Sequence, residues 1–164
     1  MTGDLPDLRT GIGFDAHAGD PDRELVLGGV RIPSGHGLAG HSDADVLLHA
    51  LCDALLGACA LPDIGTRFPD TDARFNDADS AELLADVMKS VRELGFRVTN
   101  ADLVVVADAP KLGPHAGDIR SRVSELLGVE PGRVGFKAKT GEGTGLVSGQ
   151  SIAAFASVLL GRER

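Results

Sequence analysis

The chain has 164 residues, a length that fits one domain large enough to bury a hydrophobic core. Hydrophobic residues make up 43% of it, but Trp and Tyr are absent and Phe occurs only six times, so the core must be aliphatic. The formal net charge is −8, with no basic run and few aromatic rings, which argues against a nucleic-acid partner.

The sequence carries no sign of a membrane anchor or a secretion signal. No apolar stretch approaches the length of a membrane span, and residues 1–8 are acidic and contain Pro6, unlike a signal peptide. Cys52 and Cys59 lie seven apart on one predicted helix, too far apart to bridge, and are expected to be reduced core residues. We therefore expect a cytoplasmic protein with one domain over residues 1–164, of which 1–8 form a flexible extension.

The first part of the chain is predicted to contain a strand, a hairpin and a long helix. An apolar run flanked by glycines predicts a strand over residues 9–18, and a Gly-Gly turn within 24–32 predicts a β-hairpin. A helix is predicted over 42–61, because Ser42 followed by Asp45 three residues later has the pattern of a capping box.

The second part of the chain mixes helices and strands without strict alternation. A polar loop over residues 63–79 is long for a compact domain, which favours a lid or a binding loop. Apolar spacing and glycine boundaries then predict helix 80–94 capped by Ser80, strand 98–107, helix 113–127, and strands 133–138 and 151–160. This order predicts an α+β two-layer sandwich, with one mixed β-sheet, helices packed on one of its faces, and the short hairpin.

Three separated residues have the composition of a zinc site. Asp15 and His17 are two apart in the first predicted strand, so their side chains leave the same face. His49 lies on the predicted helix among apolar residues. Two imidazoles and one carboxylate are the ligand set of a catalytic zinc with an open fourth position. Each residue alone can equally be an ordinary polar side chain, and only the three together favour a metal.

The residues around His49 have two possible interpretations. His41 and Ser42 lie at the predicted start of the helix, where free N–H groups attract an anion, although His41 can also be an ordinary loop residue. Asp45 and Asp53 lie four residues before and after His49, and either can accept a hydrogen bond from the ring nitrogen that does not bind metal. Both can equally be solvated helix charges.

Three further segments carry more polar groups than folding requires. Residues 63–72 place three carboxylates near a rigid Phe-Pro pair, which suits the hydroxyl groups of a polyol. Residues 107–115 hold Lys111 between two prolines, a position suited to a phosphate. Residues 137–145 follow a strand and combine cations, a hydroxyl, a carboxylate and glycines, which suggests a diphosphate cradle with a second metal. That segment lacks the spacing of a P-loop.

In this order the segments resemble the 2-C-methyl-D-erythritol 2,4-cyclodiphosphate synthase family of the non-mevalonate isoprenoid pathway. The resemblance covers nearly the whole chain from Arg9 and rests on six segments: GFDAH at 13–17, GGVRIP at 28–33, LAGHSDADVLLHALCDALLGA at 38–58, DIGTRFPDTD at 63–72, DAPKLGPH at 108–115 and KAKTGE at 137–142. It implies a phosphorus-oxygen lyase that converts 4-diphosphocytidyl-2-C-methyl-D-erythritol 2-phosphate into the cyclodiphosphate and releases CMP. It also implies an α+β fold and a homotrimer whose sites lie between subunits.

The resemblance further implies the roles of single residues. Asp15, His17 and His49 match the zinc ligands. Glu142 matches the ligand of a magnesium or manganese ion between the phosphates. His41 and Thr140 match the two positions that steady the transition state. The substrate contacts that it implies are Asp15, Ala16, His17, His41, Ser42, Asp63, Ile64, Gly65, Phe68, Pro69, Asp70, Thr71, Asp72, Ala107, Asp108, Ala109, Pro110, Lys111, Leu112, Gly113, Lys139, Thr140, Gly141 and Glu142.

One segment departs from the family pattern. Where that pattern continues G-F-x-G-R-x-E-G, residues 145–151 read GLVSGQS, one residue shorter and without the arginine and the following glutamate. Lys139 also replaces a usual threonine. We therefore expect the phosphate site on the trimer axis, where isoprenoid diphosphates bind family members, to be weakened here, while the catalytic set stays intact.

Two other functions remain open at this point. One is a zinc phosphohydrolase or cyclase that acts on a different cytidylyl or polyol phosphate, with the altered last loop as the reason for the difference. The other is a metal- and nucleotide-binding protein without activity. The second is disfavoured because the ligand set, Lys111, Thr140 and Glu142 are all retained together.

Overall fold

The computed structural model describes residues 7–69, 71–72 and 78–162. Its strands are β1 (Leu8–His17), β2 (Gly19–Asp20), β3 (Leu25–Leu27), β4 (Val30–Ile32), β5 (Gly37–Leu38), β6 (Phe96–Ala107), β7 (Val134–Lys139) and β8 (Ile152–Arg162). Its helices are α1 (Val46–Ala58), α2 (Ile64–Arg67), α3 (Ser80–Glu93) and α4 (Ala116–Leu127), and single 3₁₀ turns cover Gly113–His115 and Pro131–Arg133.

A four-stranded mixed sheet forms one layer of the fold. Its strand order is β1-β8-β6-β7, in which β6 and β7 run parallel and the other neighbouring pairs run antiparallel. The predicted hairpin is present as β3 paired with β4, and a second small pair joins β2 to β5. The predicted α+β class with a mixed sheet is therefore confirmed, and the β2–β5 pair is an addition that the sequence pattern did not indicate.

The helices cover one face of this sheet. Helix α1 packs on β1 and β8, and α3 and α4 pack on β6 and β7. Gly11 and Gly13 make the close approach of α1 possible, because a Cβ atom at either position would lie 1.9 Å from a backbone carbonyl oxygen of the helix. These glycines therefore bring α1 against the strand that carries Asp15 and His17.

The opposite face of the sheet is open and partly apolar. Ile12 and Phe14 alternate with the glycines along β1 and point away from α1, and Ile12 is 75% exposed. Phe14 contacts Phe155 of β8, with ring centroids 4.8 Å apart. Val147, from the altered loop, is buried against Val106 and Ala153.

Several predicted element ends are wrong. Helix α1 begins at Val46 rather than at 42, because Asp45 and not Ser42 is its N-cap: the Asp45 carboxylate accepts hydrogen bonds from the N–H groups of Leu47 and Leu48. Asp79, not Ser80, caps α3. A short helix, α2, interrupts the predicted loop 63–79.

The first strand begins inside the segment that was predicted to be a flexible extension. Residues 1–6 of the predicted extension lie outside the described residues, whereas Leu8 already belongs to β1. Arg162 at the end of β8 forms an ion pair with Asp7, with 2.7 Å between Nε and the carboxylate. In the described ranges no helix has both the length and the apolar character needed to cross a bilayer.

Candidate metal centre and adjoining cavities

The structure brings Asp15, His17 and His49 together between β1 and α1. One carboxylate oxygen of Asp15, Oδ2, lies 2.8 Å from His17 Nε2 and 3.1 Å from His49 Nδ1. One ligand atom from each residue falls within 4.8 Å of the other two, so a single cation can contact all three. The strand alternation and the glycine-mediated approach of α1 produce this convergence.

Contacts on the far side of His17 orient its ring toward this cluster. His17 Nδ1 lies 2.7 Å from the carbonyl oxygen of Ala39, which can only accept a hydrogen bond, so Nδ1 must donate. Nε2 then either donates a proton to Asp15 Oδ2 or, in a neutral ring, offers its lone pair to a metal ion in the cluster. An imidazole held by a backbone carbonyl on one nitrogen is the usual arrangement of a metal-ligating histidine.

The far-side nitrogen of His49 contacts serine hydroxyls rather than the predicted carboxylates. His49 Nε2 lies 3.0 Å from Ser80 Oγ and 3.2 Å from Ser42 Oγ. The prediction that Asp45 or Asp53 orients His49 is therefore wrong. Asp53 instead accepts a hydrogen bond from the N–H of Ile64, at 2.8 Å.

Asp45 is fully buried and serves the fold. Besides capping α1, it accepts hydrogen bonds from the N–H groups of Gly28 and Gly29 in the β3–β4 turn, at 2.9 and 2.7 Å. Burial raises the pKa of this carboxyl to about 6, against the lowering effect of these backbone hydrogen bonds. Its contacts run to the hairpin and the helix start, which explains why it is unavailable to His49.

The electrostatics of the cluster fit a divalent cation. Burial opposes ionisation of Asp15, but hydrogen bonds from His17 and His49 outweigh it and hold the pKa of Asp15 below its usual range. The hydrogen bond to Asp15 raises the pKa of His17, although burial opposes this. The hydrogen bonds to Asp15 require a proton on the facing nitrogen of each ring, and a divalent cation that binds the same three atoms would replace those protons.

A cavity of about 240 Å³ opens directly onto the cluster. Besides the three cluster residues, its walls are Gly40, His41, Ser42, Asp53, Ile64, Gly65, Phe68 and Leu83. The structure thus brings five predicted substrate contacts to the metal centre. Asp63 instead caps α2, accepting from Thr66 N at 2.7 Å, and neither it nor Pro69 is among the lining residues.

The other residues predicted to contact the substrate in this region are not among the residues that line the first cavity. Ala16 donates its N–H to Asp15 Oδ1 at 2.8 Å, next to the cluster. Thr71 and Asp72 are described but do not line the cavity, and Asp70 lies outside the described residues.

A second cavity, of about 440 Å³, lies at the ends of β6 and β7. Because these two strands are parallel, the loops that follow them leave the same edge of the sheet. Its walls are Ala107, Asp108, Pro110, Lys111, Leu112, Gly113, Ala138, Lys139, Thr140 and Glu142. The predicted nucleotide and diphosphate segments therefore form one site, in which two lysines supply positive charge.

Hydrogen bonds tie the two loops of this cavity together. Asp108 Oδ1 accepts from the N–H of Gly141 at 2.8 Å, and the Thr140 hydroxyl donates to the Glu142 carboxylate. Of the predicted residues in these segments, only Ala109 and Gly141 are not among its walls. The walls carry two carboxylates, Asp108 and Glu142, and Mg²⁺ is commonly held by one or two carboxylates together with substrate phosphates.

Some residues that shape the site carry no signal in the sequence. Arg23 donates to the carbonyl oxygens of Gly40 and Ser42 and so holds the segment that carries His41. Arg67 binds Asp86 through two nitrogens, at 3.0 and 2.8 Å, and thereby fixes α2 on α3. These contacts join residues 17 to 19 positions apart, which periodicity and capping patterns do not detect.

Comparison with known proteins places nearly the whole chain in one family. The model of the YgbB family matches residues 8–161. The 2-C-methyl-D-erythritol 2,4-cyclodiphosphate synthases of Xanthomonas axonopodis pv. citri and Cupriavidus necator are 52% and 54% identical, over 94% and 95% of this chain and 94% and 93% of theirs. A solved structure of a synthase of this name in its CDP-bound form superposes with a TM-score of 0.86, at 41% identity over 93% of this chain and 99% of that one.

Proposed function

Because the chain belongs to the YgbB family, we propose that Asp15, His17 and His49 form the zinc centre of a 2-C-methyl-D-erythritol 2,4-cyclodiphosphate synthase. The chain converts the diphosphocytidyl substrate into the cyclodiphosphate in the isoprenoid pathway, as the sequence resemblance predicted. The observation that carries the assignment of the metal centre is the convergence of the three ligands beside His41 and Ser42 in one cavity.

The reaction needs no nucleophile from the protein. An oxygen of the substrate's own 2-phosphate attacks the β-phosphorus, the bond from that phosphorus to the bridging oxygen breaks, and CMP leaves with the α-phosphate. Catalysis then reduces to holding two anions in line and neutralising their charge. Consistent with this, Cys52 and Cys59 are buried, and burial raises the pKa of both thiols.

The first cavity is proposed to hold the methylerythritol and its 2-phosphate. Zinc, when bound, would supply Lewis-acid charge neutralisation at a phosphate oxygen. His41 and Ser42 lie beside the cluster and are proposed to hydrogen-bond to phosphate oxygens, while Ile64, Gly65 and Phe68 enclose the carbon skeleton. Asp53, which also lines this cavity, is available to a substrate hydroxyl group.

The second cavity is proposed to hold the cytidine and its phosphates. A relative of 41% identity was solved with CDP bound. In this chain the loops that follow β6 and β7 form a cavity with Lys111 and Lys139 on its wall. Thr140 would hydrogen-bond to the α-phosphate, and Glu142 would hold Mg²⁺ or Mn²⁺ between the phosphates. The two lysines explain how an acidic chain can bind an anionic substrate.

We further propose that the chain assembles as a homotrimer with each site shared by two subunits. The support is the open sheet face, where Ile12 and Phe14 expose apolar surface that a partner copy would cover. Within one chain the metal cluster and the lysine-lined loops belong to separate cavities. Assembly would allow the first cavity of one copy to face the second cavity of its neighbour.

The activity is tested by incubating the protein with the diphosphocytidyl substrate and Mg²⁺ and following the products by phosphorus NMR. Cyclodiphosphate and CMP are the expected products, and both should disappear in His49→Ala. Linear phosphate products would indicate the zinc phosphohydrolase alternative. No turnover by protein that binds zinc and CDP would indicate a binding protein.

A further inference from the structure

Ser80 occupies an unusual position for a serine at the start of a helix. It is the first residue of α3, yet Asp79 caps that helix, so the Ser80 hydroxyl is not used for capping. Its side chain is fully buried and faces His49 of α1, with Oγ 3.0 Å from Nε2. A buried hydroxyl needs hydrogen-bond partners, and here these partners belong to the region of the proposed metal centre.

Asp43 holds Ser80 from two directions. The Ser80 hydroxyl donates to Asp43 Oδ1, and the N–H of Ser80 lies 3.2 Å from Asp43 Oδ2. The N–H of Asp43 in turn bonds to the carbonyl oxygen of Ala78, at 3.1 Å. The start of α3 is thereby fixed against the segment that precedes α1, and the Ser80 oxygen has a defined place beside the His49 ring.

This chain of hydrogen bonds selects one tautomer of His49. The Ser80 hydroxyl has a single proton, and it donates this proton to Asp43. Ser80 Oγ can then only accept from His49, and Nε2 must carry the proton. The lone pair of a neutral His49 ring is consequently on Nδ1, the nitrogen that lies 3.1 Å from Asp15 Oδ2.

Ser42 does not impose this choice. Its Oγ lies 3.2 Å from His49 Nε2 and accepts from the N–H of Ala44 at 3.1 Å. Among the described contacts its hydroxyl proton is not directed to a carboxylate, so Ser42 can face Nε2 either as donor or as acceptor. Asp43 and Ser80 together therefore determine that the proton of a neutral His49 ring is on Nε2 and not on Nδ1.

We propose that Ser80, oriented by Asp43, is a positioning residue of the metal centre: it fixes the ring orientation of His49 and the tautomer that presents Nδ1 to the metal. This inference rests on the proposed zinc centre and adds two residues to it that do not touch the metal. Partners of this kind raise the basicity of a ligating histidine, and their loss commonly weakens metal affinity 10- to 100-fold.

The test measures zinc affinity of the full chain by competition with a chromophoric chelator. Ser80→Ala is expected to weaken zinc binding roughly 10- to 100-fold. Ser124→Ala is the matched control, because Ser124 is also buried on a helix but its hydroxyl donates to the carbonyl of Ser121 in α4. This control should bind zinc within about twofold of the unchanged protein.

Asp43→Asn provides a second variant in case Ser80→Ala does not fold. Its amide can donate to Ser80 and release the hydroxyl proton toward His49, so the tautomer preference is lost while the size is kept. Zinc affinity should again fall. In the zinc-loaded unchanged protein, proton NMR should show a slowly exchanging downfield Nε2–H resonance of His49, which should be lost or broadened in both variants.

The outcomes separate this inference from the proposed function. If His49→Ala binds zinc as tightly as the unchanged protein, the zinc centre itself is misassigned and the inference fails with it. If His49→Ala loses zinc but Ser80→Ala and Asp43→Asn bind it normally, only the positioning role is overturned. Weaker binding with an unchanged His49 resonance would also overturn it, because Ser80 would then act through packing alone.

Discussion

Asp15 and His17 form a pair whose charge state links metal binding to folding. Hydrogen bonding to Asp15 raises the pKa of His17, and the same bond helps to lower the pKa of Asp15 despite its burial. Protons and a metal ion therefore compete for the same ring nitrogen. The competition has opposite consequences for the metal-free and the zinc-loaded protein.

In metal-free protein, raising the pH from 6 to 8.5 should lower the free energy of unfolding contributed by this pair. The contribution of Asp15, whose folded-state pKa is depressed, is already complete above its unfolded value of about 3.9. That of His17, whose folded-state pKa is raised, is complete only below about 6.5 and is lost as the pH rises through the folded value. With zinc present, stabilisation by the metal should instead grow over this range.

Urea unfolding at both pH values, with chelator or with zinc, measures these two trends. His17→Gln is the control: Gln cannot titrate, so the difference in stability between the two proteins isolates the pH dependence that comes from His17. A metal-free protein whose stability relative to His17→Gln rises toward pH 8.5 would contradict the assigned charge states.

The packing of α1 on β1 requires glycine at position 13. A Cβ atom there would lie 1.9 Å from the carbonyl oxygen of Ala50, a backbone atom that cannot rotate away. Gly13→Ala should therefore push α1 off the sheet, lower the free energy of unfolding by about 3 kcal/mol and weaken zinc binding.

Gly117→Ala is the matched control, because this glycine lies in α4 and a methyl group added to it would meet no heavy atom within 4 Å. Alanine in a helix is favoured over glycine, so this change should raise the free energy of unfolding by roughly 0.5–1 kcal/mol. Equal stability of Gly13→Ala and the unchanged protein in urea would show that the helix can move without cost.

Most helices and strands could be predicted from the sequence, but the start of α1 could not. The apolar run of α1 and the glycines of β1 are local patterns, and each can be read from neighbouring residues alone. By contrast, Asp45 caps α1 because the N–H groups of Gly28 and Gly29 also hold its carboxylate, a contact across 16 or 17 residues. Local sequence offers Ser42 as an equally good cap, and only the tertiary contact decides between them.

The same distinction applies to the site. Asp15 and His17 could be paired from strand alternation, and His49 on the predicted helix completed a set of two imidazoles and one carboxylate. The residues that orient the site, such as Arg23 and Ser80, could not be predicted, because their contacts depend on how separate segments pack. Sequence patterns thus identify the residues that line the two cavities more readily than the residues that hold them in place.

For the assembled protein, the open sheet face is the surface to test. Ile12→Glu should place a charge on the proposed subunit interface, where burial of an unpaired carboxylate is costly, and should shift the mass in light scattering from trimer to monomer. Turnover should fall with the trimer, because each site is proposed to need two subunits.

Leu94→Glu is the control, since Leu94 is 43% exposed at the end of α3, on the helix side of the sheet. It should leave both mass and turnover unchanged. An Ile12→Glu protein that keeps the mass of the unchanged protein would place the interface elsewhere.

The hydrogen bonds made by Arg23 and Asp45 affect the entropy of ligand binding. Asp45 joins the turn at Gly29 to the start of α1. Arg23 donates hydrogen bonds to the backbone carbonyl oxygens on both sides of His41. The intervening segment has therefore lost much of its conformational freedom during folding. The proposed binding of a phosphate at His41 would therefore cost little conformational entropy, because the backbone there is already ordered.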